Sequence, residues 1–155
     1  MKRVMVRSVF DAFEYVMDHF YCFGEEEAGV LKDSYAVISI QDTHTEGFGI
    51  RFSENQFCRG VLTLYFDDII QPVEGAVLFS DEMAAQVIDF IETHLDADTL
   101  LVHCFAGQSR SSAVGAFAVQ MLGGDNSSYF QKKTPNRYVY DVLDTVYLLR
   151  QIGTS

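Results

Sequence analysis

At 155 residues and 48% apolar content, with 13 Phe and 8 Tyr, the chain can bury a sizeable core as one domain spanning 1–155, which speaks against disorder. The balance is acidic, 22 Asp plus Glu against 11 Lys plus Arg, for a formal charge of −11. That field repels nucleic acid and anionic membrane surfaces, and no basic run exceeds Lys132-Lys133, so neither partner is expected.

In chain order, residues 2–7 alternate apolar and polar and predict a short strand. Ser8 is a candidate N-cap for a helix whose apolar stripe is Phe10, Phe13, Met17 and Phe20. Gly24 and the run Glu25-Glu26-Glu27 read as a solvated loop, and Tyr35 to Ile40 as a buried strand. The Gly-, Thr-, Ser- and Asn-rich stretch 41–57 predicts a long surface loop. Val61 to Phe66 is the next strand, running into Asp67-Asp68 and a loop with Pro72 and Gly75.

Ser80 then caps a helix of about 15 residues carrying Met83, Val87, Ile88, Ile91 and Leu95 on one side. Thr99 to His103 is short and nearly all apolar, the signature of a strand covered on both faces. A glycine-bearing turn leads into a helix from Ser111 to Leu122, stopped by Gly123-Gly124. The last helix, Tyr138 to Ile152, is entered through Pro135-Asn136. Strands and helices alternate, so the class is α/β with a central, mainly parallel sheet flanked by helices. No apolar stretch approaches the ~20 residues that cross a bilayer, and Arg7 and Asp11 interrupt any leader-like start, so a cytoplasmic place is expected. Cys22, Cys58 and Cys104 are odd in number and widely spaced, which suits free thiols rather than disulfides or zinc.

The turn after Thr99–His103 concentrates the chemistry. In His103-Cys104-Phe105-Ala106-Gly107-Gln108-Ser109-Arg110-Ser111, a strand ends, the chain curls back, and a helix begins. Successive amides in such a turn form an anion nest, and the helix N-terminus adds its positive end. Arg110 offers a bidentate fork to phosphate oxygens, and Gly107 supplies backbone freedom. The groups that stabilise phosphate also stabilise a Cys104 thiolate, with the Ser111 hydroxyl in reach of the sulfur and His103 orienting the loop from beneath. An acidic chain must generate this attraction locally.

These residues resemble the cysteine-based protein tyrosine phosphatases, whose signature is His-Cys, five residues, Arg, then Ser or Thr. Gly107 and Ser109 fit the dual-specificity-like branch, and Asp68-Ile69 before a loop and helix resembles its small bacterial forms. Fixing five positions at about one in twenty each gives on the order of one chance match per several million sites. The resemblance covers residue 59 to the end and fades over the first 55 residues. It implies a phosphotyrosine-phosphatase II-type fold and a two-step displacement through phosphocysteine, without metal or cofactor. Phosphate would be held by Arg110 and the amides of Phe105, Ala106, Gly107, Gln108 and Ser109, a loop that also suits a phosphate or sulfate ion.

It implies as well an upstream aspartate as general acid, Asp68 by preference and Asp67 nearly as well placed, with Glu74 and Asp81 further off. The expected substrate is a phosphorylated protein, phosphotyrosine favoured because the loop lacks Lys, or another aryl phosphate. A catalytically silent module that recognises phosphorylated partners is the alternative, and intact Cys104 and Arg110 argue against it. Rhodanese-like loops lack the Arg-Ser ending, and small arsenate reductases carry their loop near the N-terminus. Cys22 or Cys58 is a candidate resolving thiol for an oxidised Cys104. His19, His44 and His94 show no ligand spacing, and Tyr65, Tyr129 and Phe105 are candidates for the pocket wall.

Overall fold

The computed structural model describes residues 1–21, 33–44 and 49–153; Cys22 and the glutamate run lie outside them. Its strands are β1 (Arg3–Ser8), β2 (Tyr35–Gln41), β3 (Cys58–Tyr65) and β4 (Thr99–Cys104). Its helices are α1 (Val9–Phe20), α2 (Asp81–Thr93), α3 (Arg110–Met121), α4 (Ser127–Lys132) and α5 (Arg137–Gly153). The sheet has the order β1-β4-β2-β3 and every pairing is parallel, as the α/β reading expects.

Every residue of β2 and β4 is buried, because these inner strands carry helices on both faces. Strand alternation then divides the core. Ile38, Ile40, Leu100 and Val102 face α2, α3 and α5, where they meet Val87, Ile91, Phe117 and Leu143. Tyr35, Val37 and Leu101 face the other way, against Ala12, Val16 and Phe20 of α1. Gly115 lets α3 lie close on the edge strand, since a Cβ there would sit 2.4 Å from Val6 Cγ2. Among the described residues no helix is long and apolar enough to cross a membrane.

The caps behave as their sequences suggest. Ser8 Oγ accepts from the Asp11 amide at 3.1 Å, and Ser80 Oγ from Met83 at 3.2 Å. The buried face of α1 departs from expectation: Val9, Ala12, Val16 and Phe20 are buried, whereas Phe10, Phe13 and Met17 are exposed. Both stripes have helical spacing, and the sheet selects the one whose smaller residues allow close approach. Leu95 falls beyond the end of α2 and is exposed. Helix α4, only six residues long, has no fully buried residue and so no apolar period that the sequence could show.

This topology creates the site. β1 and β4 are neighbours, yet α1 leaves β1 toward one face of the sheet while α3 leaves β4 toward the other. Diverging connections open a crevice at the carboxyl ends of the strands, where α/β folds bind ligands. Cys104 ends β4 at that crevice, in register with Ser8.

Candidate active site

The loop from Cys104 to Arg110 is shaped by where its carbonyls point. Phe105 O accepts from the Val9 amide at 3.3 Å, and Gly107 O from Lys133 Nζ at 2.8 Å. Ser112 Oγ bonds Gln108 O, and Ser109 O accepts from the Asn136 amide at 3.0 Å and the Ala113 amide at 3.1 Å. A trans peptide directs its N–H opposite its carbonyl, so tying the carbonyls outward turns the following amides inward. Among the described residues no acceptor in the chain takes the amides of Ala106, Gln108, Ser109 or Arg110. The Gly107 amide donates to Cys104 Sγ at 3.2 Å, so the sulfur sits inside this nest.

Cys104 is buried, and its sulfur lies 3.0 Å from Ser111 Oγ. Gly107 has φ of +71°, and a Cβ there would lie 2.6 Å from the Arg7 carbonyl carbon and the Ser8 nitrogen. Gly107→Ala is therefore expected to lower stability by about 2–4 kcal/mol in urea unfolding, combining left-handed strain with a collision against β1.

His103 is fully buried, and burial depresses its pKa to about 4, so it is neutral near pH 7. Its Nδ1 faces Cys104 O at 3.3 Å, and a carbonyl only accepts, which places the proton on Nδ1. Nε2 then accepts from Ser39 Oγ at 2.6 Å, while Gln41 Nε2 donates to Ser39 Oγ at 2.7 Å. The relay Gln41–Ser39–His103 ends on the Cys104 carbonyl and holds it in place. Both ring nitrogens of this neutral His103 are thus already bonded.

The two aspartates separate cleanly. Asp67 is buried and spent on its surroundings: Thr43 Oγ1 donates to Oδ1 at 2.6 Å and the Val77 amide to Oδ2 at 2.7 Å, with His44 at 3.5 Å. Burial pushes its pKa up, but the Thr43 and Val77 bonds and the charges of His44 and Arg110 outweigh this and hold it below the usual range. Asp68 is exposed and turned to the loop, accepting on Oδ1 from Ser109 Oγ at 2.7 Å and Asn136 Nδ2 at 2.8 Å. Its Oδ2 takes no hydrogen bond among the described residues. Arg110 donates from one guanidinium nitrogen to Phe66 O at 2.9 Å, clamping the 66–68 segment to the loop while other donors of its fork stay available.

Asn136 was read in the sequence only as a helix entrance. Its side chain bonds Asp68 and Ile69 O and caps Val139, while its amide holds Ser109 O, so one residue ties three segments together. Lys133, Ser39 and Gln41 were likewise missed, since nothing in local spacing marks them.

Other candidates fall elsewhere. Glu74 is exposed in the 69–79 loop and Asp81 opens α2; among the described residues no hydrogen bond joins either to the 104–110 loop. Cys58 starts β3 beside Tyr35, at the opposite end of a parallel sheet from Cys104. Several residues at about 3.3 Å each separate the thiols, so Cys58 is no resolving partner. Cys22 lies outside the described residues. Phe105 is exposed at the mouth, edge-on to Phe10 at 6.3 Å. Tyr65 lines a separate cavity of about 290 Å³ beside Ser39 and Gln41, and Tyr129 lines another between β1 and α4. Of the remaining histidines, His19 pairs with Asp33 at 2.7 Å and His94 packs on Phe90.

No family profile and no curated protein matches the chain by sequence. Solved structures do match. The human tyrosine phosphatase-like serine/threonine/tyrosine-interacting protein aligns with TM-score 0.53 and 18% identity, over 82% of this chain and 86% of that one. Human DUSP28 aligns with TM-score 0.50 and 18% identity, over 97% and 95%. PTPMT1 in complex with PI(5)P aligns with TM-score 0.51 and 12% identity, over 99% and 95%. The chain has the fold of the tyrosine and dual-specificity phosphatases.

Proposed function

We propose that the chain is a phosphate monoester hydrolase acting as a single cytoplasmic domain, with Cys104 as nucleophile and Asp68 as general acid. The observation that carries this reading is the convergence of four groups on one loop: the Cys104 sulfur, inward amides, the Arg110 fork and the Asp68 carboxyl. Cys104 attacks phosphorus while Asp68 protonates the leaving oxygen; water then hydrolyses the phosphocysteine with Asp68 as base. Arg110 and the amides of 105–110 hold the equatorial oxygens throughout.

The preferred substrate is a phosphotyrosine-bearing protein or another aryl phosphate. Phe10 and Phe105 present exposed aromatic surface at the mouth, suited to an aryl ring. One aligned structure holds a phosphoinositide, but no Lys occupies the Cys104–Arg110 loop. The silent-module alternative draws support from the "phosphatase-like" and "interacting" terms in another neighbour's name. Steady-state turnover of an aryl phosphate by wild type tests the reading. Measurable turnover is expected, and tight phosphopeptide binding with none would overturn it.

A further inference from the structure

Three of the chain's 11 Lys and Arg residues, Arg7, Lys132 and Lys133, converge on one cavity of about 200 Å³ between β1 and α4. Ser128 and Tyr129 add hydroxyls, and the valines of β1 form the floor. At about 30 Å³ per water the space holds roughly six waters, enough for one tetrahedral oxyanion.

The three cations have no carboxylate partner among the described residues, although the chain carries 22 Asp and Glu. Among the described residues the Arg7 side chain donates only to Val6 O at 2.8 Å, and the Lys133 side chain only to Gly107 O at 2.8 Å. Burial raises the Tyr129 pKa, so its hydroxyl stays protonated and able to donate. Like charges gathered without counterions repel one another, and a bound anion relieves that repulsion.

We propose that this cavity is a second anion site, taking a phosphate group, and that it communicates with the Cys104 loop through Lys133. The Lys133 ammonium sits on the Gly107 carbonyl, at the back of the peptide whose N–H belongs to Gln108. A cation on the oxygen polarises that peptide and strengthens the N–H offered to phosphate in front. An anion in the cavity draws off part of that charge, so each site weakens the other's hold by the same factor. The coupling to turnover rests on the hydrolase reading; the binding does not.

Titration of 15N-labelled protein with inorganic phosphate tests the site. Amides of residues 105–110 and those of residues 7, 128 and 133 should titrate with separate midpoints. Arg110→Met should abolish the first set of shifts and keep the second. Lys132→Met should weaken the second midpoint about tenfold, the loss of one charge-assisted contact, and leave aryl phosphate turnover unchanged. No saturable shift at residues 7, 128 and 133, or a midpoint indifferent to Lys132→Met, would overturn the site. Displacement of orthophosphate by a phosphoserine peptide assigns the cavity to peptide-borne phosphate; its absence assigns the free ion. In wild type, phosphate should inhibit turnover more steeply than simple competition, and Lys132→Met should restore simple competition. Simple competition already in wild type would overturn the coupling. A wild type without turnover would sink the hydrolase reading and leave the binding result standing.

Discussion

Cys104→Ser is expected to reduce turnover by at least about 10⁴-fold while leaving phosphate binding nearly intact. The nest and Arg110 stabilise negative charge at the position of the sulfur, where the Gly107 amide at 3.2 Å and Ser111 Oγ at 3.0 Å meet it. A serine hydroxyl there is a weaker nucleophile and has no base beside it, because the unprotonated Nε2 of His103 already accepts from Ser39 Oγ while its Nδ1–H faces the Cys104 carbonyl. Binding survives because the inward amides belong to the backbone. Single-turnover kinetics with an aryl phosphate, alongside calorimetric titration with phosphate, separate the two effects. Turnover by Cys104→Ser within tenfold of wild type would rule out phosphocysteine chemistry.

Asp68→Asn is expected to lower kcat by about 10²–10⁴-fold on a substrate with a poor leaving group such as phenyl phosphate, because an amide cannot protonate the departing oxygen. With a good leaving group such as nitrophenolate the loss should shrink, since the departing oxygen needs less protonation.

Asp67→Asn should behave differently. Its carboxylate is held ionised by Thr43 and the Val77 amide, so the substitution should cost about 1–2 kcal/mol of stability and change kcat only a few-fold. If the two variants exchange behaviours, the acid is Asp67. If neither lowers kcat on phenyl phosphate, the acid lies elsewhere.

The nine residues from His103 to Ser111 are contiguous, so the strand end, the inward-facing turn and the start of the next helix follow from short-range geometry that needs no knowledge of the rest of the chain. The serine caps of α1 and α2 and the doubly covered β4 are local in the same sense. Element edges slipped where nothing local marks them, as at β3, which starts at Cys58 rather than Val61.

The choice between Asp67 and Asp68 was not local. The two differ by one position, and what separates them is Asn136, 68 residues beyond Asp68, together with Ser109 and the clamp from Arg110 to Phe66. The buried face of α1 was decided in the same way. Its sequence offers two apolar stripes at the same period, and only the sheet surface distinguishes Val9, Ala12 and Val16 from Phe10, Phe13 and Met17.

By itself, then, the sequence determined the strand–turn–helix around Cys104 and the α/β class, because both are written in residues close along the chain. The tertiary structure decided the turning of Asp68 to the loop, the relay through Ser39 and Gln41, the exclusion of Cys58 and the placing of Lys133 behind Gly107. Each of those depends on strand order and on contacts between distant segments, which residue spacing does not encode.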